Sequence, residues 1–215
     1  MRVLVTGGSG SGKSAFAERA CLSLPAPHVY VATMRPWGRD GAERVERHRR
    51  QRAGRGFVTV ERYGRYQELD LEAEVARSLA GHEVPGDAAS VPGVARGGSV
   101  LLECLGNVLA NVQYEAPDDV MPCCDDAYVA ETDVEVLASR LEAAVEALSG
   151  QCANLVIVTN EVGSDGVAYP AETEAYVRAL GTANCRIAAR ADAVYEVAAG
   201  CPVTLKAAEG EVPWE

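Results

Sequence analysis

Lysine is almost missing from this 215-residue chain, occurring only as Lys13 and Lys206, so nearly all of its basic charge is arginine. The formal net charge is -11, and many of the arginines gather between Arg35 and Arg65. This balance excludes a general nucleic-acid surface and points to one local anion site. Aromatic residues are scarce, at 6%, and none is interleaved with the arginines of residues 43–55, so a stacking platform for single strands is missing. No apolar run approaches the ~20 residues that a membrane-spanning helix needs. The opening "MRVLVTGG" is apolar for only a few residues before glycine, which is not a secretory signal. No Cys-x-x-Cys pair of the zinc or thioredoxin kind occurs among the seven cysteines. The odd count reads as reduced thiols, and Cys123, Cys124, Asp125 and Asp126 read as a plain loop. A soluble cytoplasmic protein, with no membrane span and no nucleic-acid partner, is expected.

What is present is an alternation of short apolar runs with helix-like stretches, the pattern of an α/β protein with a mostly parallel sheet. Strands are expected at 2–6, 28–33, 57–61, 99–104, 154–160, 193–200 and 203–206, and helices at 13–23, 41–53, 66–81, 131–149 and 172–190. Residues 82–97 and 115–130 are rich in Pro, Gly or acids and read as surface excursions from one domain spanning 1–215.

"GGSGSGKS", Gly7 to Ser14, satisfies G-x-x-x-x-G-K-[ST] with an apolar strand before it and a plausible helix after it. Glycines let backbone N–H groups turn around a phosphate, and the helix N-terminus adds a favourable dipole. Lys13 would reach the β- and γ-phosphates, and the Ser14 hydroxyl would hold a magnesium ion. The expected fold is therefore of the P-loop NTPase type, a mostly parallel sheet flanked by helices. The motif alone leaves kinase, ATPase, GTPase and switch open. Glu103 closes the strand "SVLLEC" and Glu61 closes "FVTVE", positions from which an acid can approach the metal or the nucleotide.

"ERVERHRRQRAGR", residues 43–55, crowds arginines around His48. Taken alone, the stretch fits a solvated histidine on a charged helix. It also fits a nucleophile, because nearby cations disfavour the imidazolium and keep the ring neutral. On a helix Arg44 and Arg52 would lie one turn either side of His48. Their planar forks suit phosphate oxygens better than lysine does. His28, at a strand start, and His82, in the Pro/Gly loop, have no such surroundings.

The order of "VLVTGGSGSGKS", "VYVAT", the arginine-flanked His48, "LLECL" with Asn111, and "VIVTNEVG" resembles the adenosylcobinamide kinase/adenosylcobinamide-phosphate guanylyltransferase family of cobalamin biosynthesis. The likeness runs from Arg2 to about Lys206. It implies two activities in one fold, with ATP and GTP as substrates and magnesium as cofactor. One is phosphorylation of adenosylcobinamide by a nucleoside triphosphate. The other is transfer of GMP from GTP to that phosphate through a guanylyl-histidine. The resemblance implies His48 as nucleophile, with Lys13 in the kinase step. It implies nucleotide contacts at Gly7, Gly8, Ser9, Gly10, Ser11, Gly12, Lys13 and Ser14. Further contacts are implied at Ala32, Thr33, Met34, Arg49, Arg50, Gln51, Arg52, Glu61 and Glu103. It implies a small corrinoid substrate and a homotrimer. The chain departs from the family pattern at Gly10, Met34 and residues 181–185, where Asn184 is retained. The alternative is a P-loop kinase of another small alcohol without guanylyl transfer.

Overall fold

The computed structural model describes residues 1–36, 54–80, 94–114, 130–163, 165–207 and Trp214. Strands β1 (Arg2–Thr6), β2 (His28–Ala32), β3 (Phe57–Glu61), β4 (Ser99–Glu103), β5 (Asn154–Val158), β6 (Ala193–Ala198) and β7 (Cys201–Lys206) form one sheet in the order β3-β2-β4-β5-β1-β6-β7. All neighbours pair parallel except β6 and β7, which make an antiparallel hairpin. The central strands read as near-continuous apolar runs because both faces are covered.

Alternation along each strand divides the core. Val3, Val5, Tyr30, Leu101, Val156 and Val158 pack with Phe16, Ala17 and Cys21 of α1 (Lys13–Ser23) on one face. Leu4, Val29, Val31, Leu102 and Ile157 pack on the other face. They meet α2 (Leu71–Ala80), α3 (Leu105–Gln113), α4 (Val134–Ser149) and α5 (Ala171–Arg190) there.

Register brings the strand ends to one row. Ala32 is opposite both Glu61 and Glu103, Glu103 is opposite Val158, and Val158 is opposite Val5. The phosphate loop, Thr33, Glu103 and Thr159 therefore emerge along the same carboxyl edge, where open α/β sheets bind ligands.

Several expected boundaries move. Strands expected to reach 33, 104, 160 and 200 end at Ala32, Glu103, Val158 and Ala198, and the last strand begins at Cys201 instead of 203. The helix expected over 66–81 is a 3-10 turn, Tyr66–Glu68, followed by α2, whose first turn is held by Asp70 Oδ1 accepting from Ala73 N at 3.0 Å. Helix α4 starts at Val134 instead of 131, because the Asp133 carboxylate accepts from the N–H groups of Glu135 and Val136 at 2.9 and 3.1 Å.

Helix α5 gains one residue at its start. Helix α3 was not among the expected elements. Its apolar residues continue the run of β4 without a break, and its N-cap Cys104 makes no side-chain cap bond. Of the two expected excursions, residues 94–97 form one helical turn, while 82–93 and 115–129 lie outside the described residues, as does the expected helix 41–53. Among the described residues no helix is long and apolar enough to cross a membrane. Cys21, Cys104, Cys152, Cys185 and Cys201 are free thiols, and Cys123 and Cys124 lie outside the described residues.

Candidate active site

β1 delivers the chain directly into the loop Gly7–Gly12, and α1 begins at Lys13. The loop can make this turn only with a bare Cα at its entry. A Cβ on Gly7 would lie 2.5 Å from the Val197 carbonyl oxygen and 2.7 Å from Ser11 Oγ. Lys13 is buried, and its ammonium donates to the Gly8 carbonyl at 3.0 Å, which holds the cation against the loop at the positive end of α1.

Ser14 Oγ donates to Glu103 Oε1 at 2.7 Å, joining the first turn of α1 to the end of β4. Glu103 is itself held in place. Its carbonyl accepts from Thr33 N at 3.1 Å and from Thr33 Oγ1 at 2.6 Å. Thr33, fully buried, is fixed in turn by Asn111 Nδ2 donating to its carbonyl at 2.8 Å. Asn111 Nδ2 also donates to Tyr66 OH at 3.3 Å, and Tyr66 OH donates to the Arg62 carbonyl at 3.0 Å. Glu61, at the end of β3 and two strands out from Glu103, accepts from Tyr63 OH at 2.8 Å. Ala32 lies in register between the two acids, and Met34 follows Thr33, half-buried.

The Ser14 hydroxyl and the Glu103 carboxylate are hard oxygen donors, the ligand type magnesium prefers. They fit that ion, which would take its remaining ligands from water and phosphate. Among the described residues no group of three or more His, Cys, Asp or Glu forms a metal cage. Burial, and then the Glu103 charge, push the thiol pKa of the neighbouring Cys104 up, against the thiolate form.

"TNEVG" closes the other side. Thr159 N donates to the Val5 carbonyl at 2.9 Å and Glu161 N to the Gly7 carbonyl at 3.2 Å. Asn184 on α5 accepts from Thr159 Oγ1 at 2.8 Å and donates to the Asn160 carbonyl at 3.4 Å. The role of Asn184 is thus to anchor this segment from behind, a role that no local pattern signals. His28 Nε2 pairs with the Leu24 carbonyl at 2.9 Å, away from the loop. Cavities of about 260 and 280 Å³ occur elsewhere, around Arg2, Cys152 and Arg190 and around Asp70, Arg96 and Gln151; neither includes a residue of the phosphate loop.

The family model described as "Cobinamide kinase / cobinamide phosphate guanyltransferase" matches residues 3–205. The chain belongs to this family. It is 30% identical over 211 residues to the bifunctional adenosylcobalamin biosynthesis protein CobU of Escherichia coli K12, covering 96% of this chain and all of that one. CobU of Salmonella typhimurium is 29% identical with the same coverage, and CobP of Pseudomonas aeruginosa is 27% identical over 96% of this chain and 98% of its own length. Of the expected site residues, the structure brings together Gly7–Ser14, Ala32, Thr33, Met34, Glu61 and Glu103 at one sheet edge. His48, Arg49, Arg50, Gln51 and Arg52 lie outside the described residues.

Proposed function

We propose that this chain performs both steps on a corrinoid: phosphorylation of adenosylcobinamide by a nucleoside triphosphate, then guanylylation of the product by GTP. The contact of Ser14 with Glu103 at 2.7 Å, beside the buried Lys13, carries this reading within the family.

In the kinase step the substrate hydroxyl oxygen attacks the γ-phosphorus, its proton passes to solvent water, and the bond from phosphorus to the bridging oxygen breaks to release the nucleoside diphosphate. The loop N–H groups and Lys13 hold the β- and γ-phosphates in line and offset the charge on the departing oxygen. Ser14 Oγ and the Glu103 carboxylate would hold magnesium, which would supply Lewis-acid neutralisation of the phosphates. In the second step a nitrogen of neutral His48 attacks the α-phosphorus of GTP, and pyrophosphate leaves. Arg49, Arg50, Gln51 and Arg52 would contact the nucleotide, together with Ala32, Thr33, Met34 and Glu61. A phosphate oxygen of the corrinoid then displaces the histidine nitrogen, giving adenosylcobinamide-GDP and restoring the free ring. The reading includes one P-loop domain over residues 1–215, a cytoplasmic setting and a homotrimer.

The test is incubation with magnesium and GTP labelled at the α- or the γ-phosphate. Retained α-label on denatured protein, released by acid but not by base and absent in His48→Ala, is the expected outcome. Neither label retained while GTP binds normally would leave a P-loop kinase of another small alcohol.

A further inference from the structure

We propose that the β6–β7 hairpin turn is a positioning element of the phosphate loop, with Gly200 as the positioning residue. The inference rests on nucleotide binding at that loop. An anion cradle needs its N–H groups free to face the phosphate and its carbonyls drawn elsewhere. Four loop carbonyls have donors of their own. Gly7 O accepts from Glu161 N at 3.2 Å, and Gly8 O accepts from Lys13 Nζ at 3.0 Å and Ser11 N at 3.3 Å. Gly12 O accepts from Phe16 N at 3.0 Å, inside the helix. Ser11 O accepts from Gly200 N at 2.8 Å, across 189 residues of chain. A trans peptide unit is planar, so drawing the Ser11 carbonyl toward the hairpin turns the Gly12 N–H away from it.

Packing agrees with the hydrogen bond. A Cβ on Gly12 would lie 3.2 Å from the Cα of Gly200, and one on Gly7 would lie 2.5 Å from the carbonyl oxygen of Val197 on β6. The hairpin therefore lies directly against both ends of the loop. Its turn is a two-residue connection between the paired Ala198 and Cys201. Ala199 and Gly200 both have positive φ, 50° and 83°, as a primed turn requires. At φ 83° a β-branched residue is strained, whereas asparagine tolerates the left-handed region. A Cβ on Gly200 meets nothing within 4 Å, so only the backbone conformation opposes a side chain there. Valine and asparagine are similar in size, and they separate conformation from bulk.

The experiment compares wild type, Gly200→Val and Gly200→Asn for the Kd of Mg-GTP by calorimetry, with thermal unfolding of each apo protein. The expected result is a Kd at least tenfold weaker in Gly200→Val and within about threefold of wild type in Gly200→Asn, with both variants folded. Binding by Gly200→Val within twofold of wild type would overturn the proposal, as would equal weakening by both variants. If Gly200→Val does not fold, hydrogen exchange at the Gly200 amide of wild type decides instead. Slowing at the Gly200 amide on adding Mg-GTP that exceeds the slowing at the buried Val156 amide of β5 supports coupling of turn to loop, and slowing no greater than at Val156 overturns it. A wild-type chain that binds no Mg-GTP at all removes the underlying reading as well, a result distinct from variant-specific loss.

Discussion

Glu103 and Ser14 meet through a hydrogen bond of 2.7 Å, yet a carboxylate and a hydroxyl at that distance can do two different things. They can hold a helix to a strand, or they can share a cation. Glu103→Gln separates these roles, because the amide keeps an acceptor for Ser14 Oγ and loses the charge. If the pair shares magnesium, phosphoryl transfer should fall by about 10²-fold or more, the scale of losing one charge-stabilising group at a transition state. The folded state should be little changed. A rate within twofold of wild type, measured with saturating magnesium and nucleotide, would make the carboxylate a tether only. Glu61 provides contrast, since it ends the outer strand β3 and its carboxylate accepts from Tyr63 OH at 2.8 Å, two residues further along the chain.

Helices α4 and α5 are tied by a ladder of ion pairs. Arg186 bridges Glu135 and Glu142 at 2.8 and 3.1 Å, Arg190 bridges Glu142 and Glu146 at 2.8 and 3.4 Å, and Arg2 from β1 reaches Glu146 at 2.8 Å. Hydrogen bonds from Arg186 and Arg2, respectively, hold the Glu135 and Glu146 carboxyls below the ordinary value of 4.5. A carboxyl with a depressed folded pKa stabilises the fold above its unfolded pKa, and that stability is lost as pH falls through the folded value. The Glu146 side chain is 48% exposed, so screening keeps its share below about 1 kcal/mol. Urea midpoints should therefore drop as pH falls below 4.5, and less steeply in Glu146→Gln. Parallel pH curves for the two proteins would mean that the Glu146 pairs contribute nothing. The same scale explains why α3 escaped the sequence reading. Leu105, Val108, Leu109 and Val112 are spaced for one helical face, but they follow the apolar β4 with no cap or breaker between.

At the scale of the molecule, one sheet edge gathers segments from residues 7–14, 32–34, 61, 103 and 159–161, so ligand binding there should stabilise the whole fold. Mg-GTP at 100 times its Kd would add ~2.7 kcal/mol. In a chain of this size that is a rise in Tm of about 5–10 °C. Lys13→Ala should lose most of the rise, and an equal rise in that variant would place the nucleotide elsewhere.

The phosphate loop was legible in the sequence because its motif is local: glycines, Lys13 and Ser14 stand at fixed spacing between a strand and a helix. The parallel strands were legible for a similar reason, since burial on both faces leaves continuous runs such as "VLLE" and "LVIV". The arginine stretch around His48 was legible as composition, and its place rests on the family. What the tertiary structure decided are contacts between residues far apart in the chain. Ser14 with Glu103, Thr159 with Asn184, and Ser11 with Gly200 each depend on strand order and register. No local preference encodes such pairings, because the free energy that selects them comes from packing the whole sheet.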